Sequence, residues 1–147
     1  MKLPNDLTAY AVDGLLPRLL TPADVPAMLA LQAEVLEALP DKRWYYPSDD
    51  EEFRQVVSAR EGVAYFDGET LLGFAELTPG KLRGSHSYAA SVKQPVNGSF
   101  DFHDVMVRPS ARGRGMHTAF LRLFRDLAAD AGGYAVYATV DPENGPS

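Results

Sequence analysis

Residues 105–125, with the sequence VMVRPSARGRGMHTAFLRLFR, decide the fold that we predict for this chain. An apolar strand pattern runs up to Val107, a loop rich in glycine and arginine follows, and apolar residues then recur at helical spacing over His117–Ala129. A helix in this position turns its unpaired first amides and the positive end of its dipole towards the loop. Because Gly113 and Gly115 carry no β-carbon, their amides can approach phosphate oxygens closely.

The same segment concentrates positive charge within an acidic chain. The whole chain of 147 residues has 14 basic and 20 acidic residues and a net charge of −6, yet this segment contains no carboxylate. Its basic residues are Arg108, Arg112, Arg114, Arg122 and Arg125. This segregation predicts an anion site, whereas the overall negative charge argues against general affinity for nucleic acid or anionic membranes.

Two common phosphate-binding motifs do not fit the loop. The P-loop pattern GxxxxGK(S/T) is absent, and a dinucleotide fingerprint would require glycine or alanine three residues after Gly115, where Thr118 stands. Neither motif therefore identifies the anion that the loop is predicted to bind.

Composition excludes several further classes. The chain has no cysteine, which rules out disulfides, thiolate metal sites and cysteine nucleophiles. No apolar run approaches the ~18 residues of a membrane helix, and the start of the chain lacks the charged and apolar regions of a signal peptide. Carboxylates at 49–52 are interpreted as complements to a helix dipole. We predict a cytoplasmic protein that holds no metal.

The order of elements predicts a mixed α/β (α+β) domain at 18–147, preceded by a loose N-terminal arm at 1–17. The predicted elements are a strand at 18–20, helices at 21–40 and 48–60, strands at 63–66, 71–77 and 100–107, a helix at 117–129 and a strand at 134–140. The polar segment 79–98 is long for a connection, so we predict that it holds a short extra strand or a functional loop.

The loop resembles the pyrophosphate loop of the GCN5-related N-acetyltransferases, the GNAT superfamily. Their signature is Gln/Arg-x-x-Gly-x-Gly/Ala after a strand that ends apolar-x-Val, and here it corresponds to Arg112–His117 after Val105–Val107. Thr21–Asp24, Leu72–Ala75 and Val140–Asn144 are also similar to the family, in the same order. The resemblance covers 18–147 and implies the GNAT fold, a mixed, mostly antiparallel sheet flanked by helices.

The resemblance also implies acetyl-CoA as co-substrate, bound where the fourth and fifth strands part. The main chain of Val105 and Val107 would meet the pantetheine amides, one amide within Val105–Val107 would stabilise the thioester oxygen, and the loop would surround the pyrophosphate. The cofactor-binding residues implied are Val105, Met106, Val107, Arg112, Gly113, Arg114, Gly115, Met116, His117, Thr118 and Asn144.

Two features depart from the family pattern. His117 stands where the family prefers glycine or alanine, so its imidazole either donates to a phosphate or crowds it. The sequence ends at Ser147, where the family continues with a helix and two strands, so the fifth strand would expose an apolar edge. We therefore expect the domain to be C-terminally incomplete, as part of a longer protein, or a partner chain such as a second copy in a homodimer to cover that edge.

Acetyl transfer to a primary amine needs a group that removes a proton, because only the neutral amine attacks. The candidates on strands facing the gap are Asp104, Glu76 and His103, with water as a further alternative. Strand alternation places His103 and Asp104 on opposite faces, so at most one of them faces the acceptor unless a bulge intervenes. The sequence leaves the choice of base open.

The acceptor is less well defined than the cofactor. In the family, the connection between the first two helices helps to form the acceptor site, and here it contains Trp44, Tyr45 and Tyr46. These aromatic side chains either wall an acceptor pocket or cover the core. The leading hypothesis is an acetyl-CoA-dependent N-acetyltransferase acting by direct transfer in a ternary complex. The alternative is a non-catalytic acyl-CoA-binding module, and the acceptor could be a small amine, a protein lysine or an N-terminus.

Overall fold

The computed structural model describes residues 1–40 and 47–138 and contains a five-stranded sheet with helices on both faces. The strands are β1 (Arg18–Leu19), β2 (Gly62–Asp67), β3 (Thr70–Pro79), β4 (Ser99–Val107) and β5 (Ala135–Tyr137), in the order β1-β2-β3-β4-β5. The helices are α1 (Val25–Ala38), α2 (Asp50–Ser58), α3 (Gly80–Arg83), α4 (Tyr88–Ser91) and α5 (Met116–Asp130). Neighbouring strands are antiparallel except β4 and β5, which are parallel. This arrangement confirms the predicted fold class.

Local sequence signals explain where the first two helices begin. The Asp24 carboxylate accepts a hydrogen bond from the main-chain N–H of Thr21 at 2.8 Å, in the short 3-10 turn that leads into α1. At α2 the capping residue is Asp49, whose carboxylate accepts from the N–H of Glu52 at 2.8 Å, while Glu52 accepts from Asp49 at 3.2 Å. These reciprocal bonds satisfy amides that the first helical turn leaves unpaired.

The sheet has an apolar core on each face. On one face α1 and α2 pack against the sheet, where the rings of Phe53 and Phe74 meet edge to face at 5.7 Å. On the other face α5 contributes Phe120 and Phe124 to a core shared with Tyr65. The sequence pattern also predicts Leu121 as an inward residue of α5, and this prediction is wrong. Leu121 is 39% exposed because it points into a groove beside β5.

The N-terminal arm is packed, whereas the sequence predicts that it is loose. Tyr10 and Val12 are buried in the α5 core, and the Tyr10 hydroxyl donates to Asp126 of α5 at 2.6 Å. The buried Tyr65 hydroxyl donates to the carbonyl of Tyr10 at 2.6 Å, and burial raises the pKa of Tyr65 to about 12. Two tyrosine hydroxyls therefore fasten the arm to the domain.

The connection between β3 and β4 contains helical turns, so the extra strand, the first of the two predicted alternatives, is wrong. It consists of α3, a 3-10 turn at Gly84–His86 and α4. The Ser87 hydroxyl caps α4 by accepting from the N–H of Ala90 at 3.2 Å, and both carboxylate oxygens of buried Asp101 lie 3.2 Å from the N–H of Tyr88. These hydrogen bonds to Ser87 and Asp101 stabilise helical turns in the connection in preference to an additional strand.

The predicted gap between β4 and β5 stays a prediction, because the chain after residue 138 lies outside the described residues. Within the described residues, Ser99–Asp101 of β4 pairs with Ala135–Tyr137 of β5. Because the N–H of Arg108 donates to the carbonyl of Leu72 of β3 at 2.7 Å, strand alternation turns the main-chain groups of Val107 away from β3. Over residues 1–40 and 47–138, no helix is both long and apolar enough to cross a membrane.

Candidate active site

A β-bulge in β4 brings the three candidate bases together. Phe74 lies opposite Met106, and Glu76 lies opposite His103, so one extra residue of β4 is accommodated between these pairs. Asp104, at this point, has a φ of 52°, in the left-handed region that few residues other than glycine adopt. The bulge interrupts the alternation of side chains, so His103 and Asp104 both take part in one cluster.

The cluster joins one imidazole to two carboxyl groups. Nδ1 of His103 lies 3.7 Å from Oε1 of Glu76 and 3.6 Å from Oδ2 of Asp104. The side chains of His103 and Asp104 are 16% and 25% exposed, whereas Glu76 is fully buried. Burial, followed by the nearby charge of Asp104, raises the pKa of Glu76 well above its ordinary value. The cluster therefore holds a proton more tightly than an exposed carboxylate would.

The same residues have oxygen and nitrogen atoms within 4.8 Å of one another, a spacing compatible with a metal ion. Metal ligands must be deprotonated, however, and burial favours the protonated form of Glu76. A metal ion bound there would have to displace the proton that burial favours on Glu76.

The glycine-rich bend is open to solvent and precedes the 15-residue helix α5 directly. Gly113 and Gly115 have φ angles of 80° and 85°, and no heavy atom lies within 4 Å of the position that a β-carbon would occupy on either residue. Arg112 and Arg114 beside them are exposed, and Nε of Arg114 lies 3.5 Å from Oδ2 of Asp13. The bend thus presents the first main-chain amides of α5 and the neighbouring guanidinium group of Arg112 to solvent, a geometry that favours anions, while the anion site itself stays a prediction.

The other basic residues of this segment divide into two groups. Arg108 is tied to the protein, because its Nε donates to the carbonyl of Leu71 at 3.0 Å and its guanidinium pairs with Glu34 of α1. Arg122 and Arg125 are exposed and line a groove of about 430 Å³ between α5 and β5, together with Thr118. The groove extends the positive surface away from the glycine bend.

Met106, Met116 and His117 are limited in what they can offer to a bound cofactor. The side chains of Met106 and Met116 are buried in the cores on opposite faces of the sheet, so each can offer a ligand only its main chain. The ring of His117 meets that of Phe102 with 5.6 Å between centroids, and partial burial lowers the pKa of His117. A neutral imidazole at pH 7 adds no positive charge to the bend. Trp44, Tyr45, Tyr46 and Asn144 lie outside the described residues.

Family comparison agrees with this geometry. The profile of the Acetyltransferase (GNAT) family matches residues 27–147, and the chain belongs to that family. No curated protein matches the sequence significantly. The family resemblance carried by the glycine loop is therefore confirmed.

Several solved structures share the fold. An N-acetyltransferase from Staphylococcus aureus Mu50 is similar with a TM-score of 0.65 and 20% identity, over 89% of this chain and 76% of that chain. A ribosomal-protein-alanine N-acetyltransferase from Brucella melitensis is similar with a TM-score of 0.65 and 23% identity, over 88% and 76%. The PaiA N-acetyltransferase from Thermoplasma acidophilum, in complex with coenzyme A, has a TM-score of 0.66 and 13% identity, over 89% and 82%. At these identities the likeness establishes the fold alone.

Proposed function

We propose that this protein transfers the acetyl group of acetyl-CoA directly to a primary amine while both substrates are bound. The observation that carries the proposal is one strand, β4, which bulges to assemble Glu76, His103 and Asp104 and then leads into an open glycine bend. Membership of the GNAT family and the coenzyme A bound to the Thermoplasma protein support it.

The cofactor would bind along the gap and the bend. Its pyrophosphate would accept hydrogen bonds from the main-chain amides of 113–118, with Arg112 and Arg114 supplying positive charge. Its pantetheine arm would pair with the main chain of Val105 and Val107, beyond the described pairing of β4 with β5 at Ser99–Asp101. Met106 and Met116 would contribute main-chain groups, His117 and Thr118 would line the entrance, and Asn144 would make a further contact.

We assign removal of the amine proton to the cluster, with Nδ1 of His103 as the acceptor. His103 and Asp104 are its solvent-accessible members, and an imidazole takes up and releases protons readily near neutral pH. Asp104 would attract the protonated amine to the site. Glu76, which is fully buried, would act through its neighbours by favouring a proton within the cluster.

The neutral amine would then attack the thioester carbon. An N–C bond forms, and the negative charge on the thioester oxygen is stabilised by an amide within Val105–Val107. Collapse of this intermediate breaks the C–S bond, and the second amine proton ends on the departing thiolate. Trp44, Tyr45 and Tyr46 would line the acceptor pocket, for an amine on a small molecule or on a protein.

The test is amine-dependent release of free coenzyme A. Purified protein is mixed with acetyl-CoA and a panel of small amines and peptides, and the thiol produced is measured with a thiol reagent. We expect release that saturates with both substrates and requires an amine. Saturable binding of acetyl-CoA without turnover on any amine would instead indicate the alternative, a non-catalytic acyl-CoA-binding module.

A further inference from the structure

Thr78 contacts the side of His103 that faces away from the cluster, and Glu61 contacts Thr78. Nε2 of His103 lies 2.8 Å from Oγ1 of Thr78, and Oγ1 of Thr78 donates to Oε1 of Glu61 at 3.1 Å. Thr78 is 7% exposed. Glu61 is fastened beside β3 because its carbonyl accepts from the N–H of Leu77 at 2.9 Å. The three side chains therefore form a continuous line of hydrogen bonds.

The donors and acceptors that Glu61 and Thr78 provide determine which ring nitrogen of His103 carries a hydrogen. A hydroxyl has one proton, and a carboxylate only accepts, so the Thr78 proton points to Glu61. The Thr78 oxygen then presents only lone pairs to His103, so Nε2 must be the donor of the 2.8 Å hydrogen bond. In the neutral ring the bare nitrogen is consequently Nδ1, the atom that faces Glu76 and Asp104.

We propose that Thr78 and Glu61 are positioning residues that keep Nδ1 of His103 free to accept the amine proton. This inference rests on the proposed function. When the proton moves, the amine N–H bond breaks, an Nδ1–H bond forms and Nε2 keeps its hydrogen. The imidazolium produced is hydrogen-bonded through Thr78 to the negative charge of Glu61, which stabilises it as the proton is taken up.

The surroundings of the ring explain why such a line is needed. Glu76 from β3 and Asp104 from β4 face Nδ1, and without Thr78 they would draw the ring proton to that nitrogen. Arg83 of α3 pairs with Asp101, with its Nε 3.3 Å from that carboxylate, and its positive charge lowers the pKa of Glu76 against the larger effect of burial. Thr78 therefore opposes the tautomer that the two carboxyl groups would otherwise stabilise, in which Nδ1 could not act as a base.

Nitrogen-15 NMR of the imidazole in the purified, substrate-free protein tests the inference directly. Thr78→Val removes the hydroxyl and retains the shape, and Thr78→Ser is the matched control that keeps the hydroxyl. We expect the Nε2–H form in the wild type and in Thr78→Ser, and a substantial Nδ1–H population in Thr78→Val. The kcat of Thr78→Val should fall by roughly 10- to 100-fold, a part of the ~10²–10⁴-fold that a positioned base supplies. Its KM for acetyl-CoA should stay unchanged.

Glu61→Gln offers a second test that is independent of the packing at Thr78. Glutamine still offers an oxygen to the Thr78 hydroxyl, so the tautomer should be retained, while the lost negative charge should move the acidic limb of the kcat/KM profile to lower pH. A wild-type ring protonated at Nδ1, or a Thr78→Val ring with an unchanged tautomer, would overturn the inference. If no amine supports thiol release, the proposed function fails, whereas the tautomer measurement still stands by itself.

Discussion

Gly73 of β3 lies directly against Met116, the first residue of α5. A β-carbon on Gly73 would overlap Sδ of Met116 and would lie 2.8 Å from the carbonyl oxygen of Met106. The missing side chain therefore lets the start of α5 rest on the sheet. Gly73 thus helps to fix the position of the glycine bend relative to β4.

Substitution of Gly73 should accordingly weaken cofactor binding from a distance. In Gly73→Ala the methyl group must displace Met116 or β4, and overpacking of this kind costs about 1–3 kcal/mol of stability. We expect a lower melting temperature and, by calorimetry, clearly weaker binding of coenzyme A. Gly68→Ala is the control, because Gly68 has a φ of 59° in the β2–β3 turn and open space around it. It should lower stability and leave coenzyme A affinity unchanged. Wild-type affinity in Gly73→Ala would contradict the role of this contact.

Gly115→Glu should abolish coenzyme A binding while the fold is retained. The added carboxylate would enter the space proposed for the pyrophosphate and repel it. Gly132→Glu is a matched control at the other end of α5, since Gly132 has a φ of 80° and no heavy atom within 4 Å of its β-carbon position. Both variants should show a similar loss in melting temperature, and only Gly115→Glu should lose binding in a calorimetric titration. Retained affinity in Gly115→Glu would show that the cofactor binds elsewhere.

His103→Asn should reduce kcat by roughly 10²–10⁴-fold, the usual contribution of a general base, with little effect on coenzyme A affinity. His86→Asn is the control, because His86 is exposed in the turn between α3 and α4. Steady-state kinetics of amine-dependent thiol release provide the measurement. Equal rates in the two variants would exclude His103 as the base and would favour Asp104 or a water molecule.

Glu76→Gln should stabilise the protein at neutral pH. Burial and the Asp104 charge raise the pKa of Glu76 in the folded state. The contribution of Glu76 to folding is therefore most favourable below the unfolded-state pKa of about 4.3 and is lost as the pH rises towards the folded-state pKa. Glutamine stays neutral, so the melting temperature of the variant should exceed that of the wild type at pH 7. The difference should close as the pH falls towards about 4, and a difference independent of pH would refute this explanation.

Local patterns in the sequence were sufficient to predict most of the fold. Hydrophobic periodicity marks α1, α2 and α5, and the glycines and arginines of the bend are adjacent in sequence, so their geometry follows from local rules. The helical turns of α3 and α4 were missed because they depend on buried Asp101, which reaches them from β4. The packing of the arm was missed because Tyr10 finds its partner, Asp126, on α5.

The candidate site was predicted as three separate residues, and the structure explains why their assembly was not. A bulge adds one residue to a strand without changing the composition of that strand. The sequence pattern therefore follows strict alternation, which places His103 and Asp104 on opposite faces. An aspartate within an otherwise apolar strand end was the available signal, since aspartate tolerates the left-handed conformation better than most residues. Thr78 and Glu61 gave no signal, because the pairing of β3 with β4 brings Thr78 to the imidazole.

Among the described residues, β4 pairs with β5 at Ser99–Asp101, and the edge of β4 from Phe102 to Val107 is where the proposed pantetheine arm would bind. Amide hydrogens that are unpaired there in the free protein should exchange with deuterium quickly. If pantetheine binds there, its amide groups would form hydrogen bonds with β4 in the way that a neighbouring strand does. Slowed exchange on addition of coenzyme A would then trace its path without any measurement of catalysis.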